Sequence, residues 1–291
     1  MGRCGASRWL ALVPALLVAA IVQQTSTSEP LDGWRDLASP GFAPPTQHVA
    51  AMRTTSANPA RSASPVVSTE PEPTQPAGPS TSEPTASTFG QEVFSGPADD
   101  NRVALTFDDG PSTSLTPSVL RTLERHQVHA TFFVLGHRAQ NNAELLQAID
   151  AQGHEIGNHG WSHTSLRSLF PGQIKAEIDN TNAVVREATG KRPALFRPAF
   201  GRYAESAVDI IAARDMNLVL WNADGRDWDG DADAIVTRVL EQARPGAIIL
   251  LHDREAATAR ALPRILNGLQ RKGLRPVPVS ELTGLPATTA H

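Results

Sequence analysis

The stretch Arg102–Pro111, RVALTFDDGP, opens as an apolar run and ends in two adjacent carboxylates and a Gly-Pro turn. A short apolar run bounded by turn residues is a strand buried on both faces. Thr116-Pro117 then opens a helix with Val119, Leu120 and Leu123 on one face. The same cycle recurs downstream. Strands are predicted near 130–135 (ATFFVL), 154–157, 194–197, 217–221 (NLVLW), 247–251 (AIILL) and 275–279, separated by helices near 141–152, 173–189, 204–214, 231–243 and 255–271. Gly190 closes the third helix and Gly273 the last. Alternating strand and helix with continuous apolar strands indicates a helix-covered parallel sheet, either a barrel or a doubly wound sheet. Seven strands favour an α/β architecture of the incomplete (β/α)7 barrel kind.

The N-terminal third reads differently. Arg3 and Arg8 precede the uncharged apolar run Trp9–Val22, the layout of an export signal or N-terminal anchor over 1–22. At fourteen residues, interrupted by Pro14, the run is short for a bilayer span and favours a cleaved signal. Cys4 lies before the run rather than after it, so no lipoprotein is predicted. From Thr54 to Thr88 Ser, Thr, Pro and Ala dominate, with seven prolines and no hydrophobic periodicity. Such composition cannot offset its ordering entropy, so 23–98 is expected to be a disordered spacer, 99–285 the folded domain and 286–291 a tail. The 291-residue chain has a formal net charge of −4 and a single Cys. That leaves no basic field for nucleic acid and no internal disulfide scaffold.

In either α/β architecture functional groups collect at the C-terminal ends of the strands. The residues there are Asp108 and Asp109, His159 and His163, Arg197, Asp224 and Asp227, and His252 and Asp253. His159 and His163 stand four apart, and one helical turn would put both imidazoles on one side, as transition-metal sites use. Asp109 adds a third hard ligand and leaves a position for water, the pattern of a catalytic rather than a structural site. Adjacent residues leaving a strand point in different directions, so Asp109 can ligate while Asp108 faces the water as base. Asp229, Asp231 and Asp233 alternate as in a calcium loop, but Ala234 and Leu240 stand where that loop needs Gly and Glu, so a helix N-cap is the better account. Trp161 and Trp228 are read either as packing residues or as platforms for sugar rings.

Thr106–Pro111 (TFDDGP), His159–His163 (HGWSH), Arg197–Gly201 (RPAFG), Asp224–Trp228 (DGRDW) and Leu250–His252 (LLH) resemble, in order, the five motifs of the NodB-type polysaccharide deacetylases, carbohydrate esterase family four. The resemblance spans about 102–282 and implies a distorted, incomplete barrel. It implies that Asp109, His159 and His163 hold a divalent metal and that Asp108 is the general base. Arg197 would orient Asp108, and His252 would be the acid, supported by Asp227. The Phe200 backbone N–H would donate to the oxyanion, Trp228 and Leu250 would wall the acetyl pocket, and Tyr203 would join them in binding substrate. Zinc suits the ligand set, and cobalt, nickel or iron can occupy similar sites. Two departures stand out: Gly160 where the family often has Ser or Thr, expected to loosen the loop carrying the His pair, and Ala199 in place of a proline before Phe200, expected to place the backbone donor less rigidly.

The resulting expectation is an exported, metal-dependent hydrolase that removes N-acetyl groups from an N-acetylglucosamine-type polysaccharide, foremost peptidoglycan. It would be secreted or tethered to the membrane through 9–22, with no nucleic-acid or protein partner. Chitooligosaccharide deacetylation, acetyl xylan esterase activity and a non-catalytic metal-containing glycan receptor are the alternatives.

Overall fold

The structure, a computed structural model, describes residues 89–289. The expected signal or anchor and the spacer up to residue 88 lie outside the described residues. Strands and helices follow one another as β1 (Glu92–Val93), β2 (Arg102–Gly110), α1 (Thr116–Arg125), β3 (Thr131–Val134), α2 (Gly136–Ala139), α3 (Ala143–Ala151), β4 (Glu155–Asn158), α4 (Pro171–Thr189), β5 (Arg192–Pro193), β6 (Leu195–Phe196), α5 (Glu205–Ala212), β7 (Asn217–Val219), β8 (Ala223–Asp224), α6 (Ala232–Gln242), β9 (Ile248–His252), α7 (Ala256–Arg271), β10 (Arg275–Val277), α8 (Val279–Thr283) and β11 (Thr288–Thr289). Among the described residues, no helix is long and apolar enough to cross a membrane.

The main sheet runs β1-β7-β6-β4-β3-β2-β9-β8, with β10 beside the start of β2, and its pairs are parallel. β8 forms one edge, and β7 stands next to the other. Only Leu220–Asn222 separate them in the chain, a link of at most about 14 Å. The sheet therefore has to curl until its two ends nearly meet, which makes it an incomplete barrel.

Strand periodicity sorts the side chains. Val103, Leu105 and Phe107 of β2, Phe132 of β3 and Ile249 and Leu251 of β9 pack outward against α1, α3, α6 and α7. Ala104, Phe133, Leu195, Val219 and Ile248 face inward, where Val279 and Leu282 of α8 join them. The same parity carries Thr106 and Asp108 on β2, Arg197 just past β6, and Leu250 and His252 on β9 to the inner side.

The ordered domain departs from its expected limits at both ends. β1 pairs with β7 inside the stretch assigned to the spacer, and Thr288–Thr289 pairs antiparallel with Arg192–Pro193 inside the expected tail. β8 was also absent from the expected strands. All three are two-residue strands, too short to leave a period in the sequence. At α1, Leu115 rather than Thr116 holds the N-cap position; the Thr116 hydroxyl goes to the Asp253 carboxylate instead. Gly190 ends α4 in the left-handed conformation, as expected.

Asp231 caps α6: its Oδ1 accepts from the N–H groups of Asp233 (3.0 Å) and Ala234 (2.9 Å). That is the helix-cap reading of the alternating aspartates. Asp231→Ala should cost about 1 kcal/mol of stability in urea unfolding, and added calcium should leave the unfolding midpoint of the wild-type chain where it was.

Candidate active site

Simple alternation would send Asp109 to the outer face, away from Asp108. A β-bulge prevents this: the β2–β3 register shifts between Asp108 and Gly110, and Asp109 takes a left-handed conformation (φ 71°). Bulges re-aim one side chain without disturbing the rest of the strand. Both carboxylates thereby reach the same end of the barrel. The histidine pair is assembled by bends, not by the helical turn expected from its spacing: residues 159–163 form no helix, Gly160 lies at φ +82° and His163 at φ +61°. The glycine at 160 suits that backbone.

His159 Nε2 lies 3.4 Å and His163 Nε2 3.1 Å from Asp109 Oδ1. Among the described residues, these three form the group able to hold a metal ion, with ligand atoms all within 4.8 Å of one another. Asp109 Oδ1 is buried without a hydrogen-bond donor, as a ligand oxygen awaiting a cation would be. His159 Nδ1 donates to the Arg197 carbonyl (2.7 Å), which leaves Nε2 as the free lone pair. An Asp-His-His donor set with borderline nitrogen and hard oxygen atoms fits a divalent transition metal. Burial alone would raise Asp109, but the two imidazoles outweigh it and hold the carboxyl well below the usual range. Burial pushes His163 down. His159 is pulled up, because Asp108 and Asp109 outweigh its burial.

Asp108 is gripped from the interior. Arg197, fully buried, donates through Nη1 to Asp108 Oδ1 (2.8 Å) and Thr106 Oγ1 (2.7 Å), through Nε to the Val219 carbonyl (3.2 Å) and through Nη2 to the Leu220 carbonyl (3.0 Å). Its guanidinium lies 4.1 Å over the Phe133 ring. Asp108 Oδ2 is left facing His159 Nε2 at 3.7 Å.

On the neighbouring strand, His252 stands in register with Asp108. Its Nδ1 bonds Asp227 Oδ1 (2.7 Å), its backbone N–H donates to Asp227 Oδ2 (2.7 Å), and the Thr258 hydroxyl donates to the same oxygen. Burial disfavours the imidazolium, yet the Asp227 contact prevails and raises His252 to about 9. Nδ1–H is thus fixed, and Nε2 carries a proton that can be given away.

The expected substrate-contact residues divide. Phe200 is exposed, sits at φ 60° and lays its ring 4.5 Å from that of His163. Its turn is closed by Gly201 N–H to Pro198 O (3.0 Å) and Arg202 N–H to Ala199 O (3.2 Å). Trp228 is exposed and meets His252 edge-on, whereas the Trp161 ring lies against Gly136, a packing role. Leu250 is buried beside Asp224 in the β8–β9 pair. Tyr203 is tied elsewhere: its hydroxyl donates to Glu92 on β1 (2.7 Å), a partner that lay in the expected spacer. Asp224 serves its own turn, accepting from Arg226 N–H (2.8 Å). Thr106, Thr258 and Arg254, whose Nη1 lies 3.6 Å from Asp109 Oδ2, complete the site and escaped the sequence reading, since nothing local distinguishes a hydroxyl or a loop arginine from its neighbours. A cavity of about 440 Å³ lined by His126, His129 and Arg275 contains none of these groups.

A family profile described as polysaccharide deacetylase matches residues 95–219. A chitooligosaccharide deacetylase of Bradyrhizobium is 36% identical over 196 residues, covering 62% of this chain and 90% of the relative. The chain belongs to the polysaccharide deacetylase family. The peptidoglycan-N-acetylglucosamine deacetylase PgdA of Listeria monocytogenes is 39% identical over 184 residues, 63% of this polysaccharide deacetylase family chain; the chain spans only 39% of that relative's length. The crystal structure of the peptidoglycan N-acetylglucosamine deacetylase Bc1960 superposes with a TM-score of 0.67 at 32% identity, covering 69% of this chain and 96% of the other.

Removing Arg197 would strand the buried Asp108 carboxylate. Arg197→Met should therefore destabilise the domain by about 3–5 kcal/mol in chemical denaturation, with Arg197→Lys intermediate because an ammonium cannot reproduce the planar fork.

Proposed function

We propose that this chain is a metal-dependent N-deacetylase of N-acetylglucosamine-type polysaccharide, with peptidoglycan as its foremost substrate. The observation that carries the reading is the convergence of three groups at one end of the barrel: an Asp-His-His cluster, a base locked to a buried arginine, and an imidazole held as an acid one strand away. A divalent cation bound by Asp109, His159 and His163 would supply Lewis-acid polarisation of the acetyl carbonyl and acidify a water. Asp108 takes a proton from the attacking water through its free oxygen, since Arg197 occupies the other. The Phe200 N–H, presented by its left-handed turn, donates to the oxygen that gains charge. His252 gives its Nε2 proton to the departing amine, so the C–N bond breaks to acetate and a free amino sugar. Trp228 and Leu250 flank the acetyl methyl, and the exposed rings of Phe200 and Trp228 offer faces to the neighbouring sugars.

The names of the relatives support both a wall glycan and a chitin oligomer as substrate. Export fits the wall reading: a basic start, the apolar run Trp9–Val22 and the Pro-rich stretch would carry the domain out and hold it at reach from the membrane. Acetate release measured on muropeptides, chitin oligomers and acetylated xylan decides the substrate, and faster turnover of the neutral chitin oligomers would reject the wall assignment. Chelation should abolish release, and Asp108→Asn should reduce it at least a hundredfold; activity indifferent to both would reject the mechanism.

The acid limb carries a pH signature. Asp227 raises His252, so the imidazole stays protonated up to about 9 and activity should fall only above that. In Asp227→Asn the imidazolium loses its partner, and the descending alkaline limb of kcat should move to lower pH. An unmoved limb would assign the acid to another group.

A further inference from the structure

Residues 160–163 carry His163 but belong to no helix or strand. His159 is held by the sheet, its N–H donating to Val134 O (3.0 Å) and its ring to Arg197 O. His163 has no such support and sits in a left-handed conformation that a non-glycine residue keeps only when its surroundings impose it. Its restraint has to come through the backbone groups of the loop, and these can be accounted for one by one.

On one side α2 takes the carbonyls. Gly136 N–H donates to Gly160 O (2.9 Å), His137 N–H donates to Trp161 O (3.3 Å), and His137 Nδ1 reaches the same oxygen (2.6 Å). On the other side one carboxylate takes the N–H groups. Glu177, half-buried on α4, accepts through Oε2 from Trp161 N–H (2.7 Å) and Ser162 N–H (2.8 Å), and through Oε1 from the Ser162 hydroxyl (2.7 Å). Bonds of this kind, with an ionised acceptor, are the short and strong class. Gly160 makes the approach close: a Cβ there would lie 3.1 Å from Glu177 Oε2.

We propose that Glu177 is a positioning residue for the metal centre. It fixes the backbone on which His163 is mounted, so the hold of the Asp109–His159–His163 cluster on a divalent cation depends on a carboxylate that is not itself a ligand. The inference rests on the reading of that cluster as a metal site. Two backbone donors spaced one residue apart match a carboxylate on the facing helix, and no other side chain accepts from them among the hydrogen bonds of the described residues.

Zinc titration of the full chain against a competing chelator tests it, together with melting of the zinc-free and zinc-loaded protein. Glu177→Ala should weaken zinc binding by roughly tenfold to a hundredfold, the range for groups that orient ligands, and shrink the rise in Tm that zinc produces. Glu177→Gln keeps an acceptor oxygen for the two N–H groups but loses the charge, so it should lose clearly less zinc affinity than Glu177→Ala. Wild-type zinc affinity in Glu177→Ala overturns the proposal, whether or not its zinc-free Tm falls, since the carboxylate would then be structural only. Equal loss in the Gln and Ala variants overturns it too. A wild-type chain that binds no zinc, cobalt or nickel overturns the metal reading of the cluster and this proposal with it.

Discussion

A guanidinium with no solvent exposure is the constraint around which the barrel is arranged. Burying the Arg197 charge is costly unless every donor finds an acceptor and a counter-charge lies close. The structure meets both needs at once. Asp108 and Thr106 arrive by strand parity, and the carbonyls of Val219 and Leu220 come from the end of β7, the strand paired with β6, which Arg197 directly follows. The carboxylate that neutralises the buried cation is the one assigned the role of base in the proposed mechanism.

Around that fixed point the chain stores strain. Six non-glycine residues with positive φ are found among the described residues, and three of them, Asp109, His163 and Phe200, are the bulged ligand, the second imidazole and the proposed oxyanion donor. Each such conformation costs on the order of 1–3 kcal/mol. Residue preference alone does not explain the concentration: Asp and His take positive φ more readily than most residues, but Phe does not. What the conformations share is a result: each turns a group toward the end of the barrel that ordinary strand geometry would direct elsewhere.

Much of this could be read from residues alone. The continuous apolar strands gave away a parallel sheet, and RVALTFDDGP, HGWSH, DGRDW and LLH put the candidate site groups at strand ends. What stayed hidden was geometry without a compositional trace. The two-residue strands β1, β8 and β11 are shorter than any period. The bulge at Asp109 adds a residue to one face without changing the pattern that precedes it. The His pair at four-residue spacing mimics a helical turn, yet Gly160 between the two imidazoles was the one local sign that the backbone bends instead. Tyr203 shows the converse: an aromatic in a motif-rich loop invites a substrate role, but a glutamate assigned to the spacer already takes its hydroxyl.

The two carboxylate–cation pairs of the site have the same composition and opposite uses. In Asp108–Arg197 the partner cannot lose its proton in the accessible pH range, so the carboxylate is the member left for the proposed role of base. In Asp227–His252 the carboxylate is saturated by the backbone N–H of His252, its ring and the Thr258 hydroxyl, so the imidazole is the member left for the proposed role of acid. Which member stays inert is decided by what else is bonded to it, not by the pair itself. Because Asp108 and His252 face each other across the β2–β9 ladder, one strand register sets the proposed base beside the proposed acid. A slip of β9 by one residue would turn His252 to the outer face, into the packing against the helices, and leave Asp108 without it.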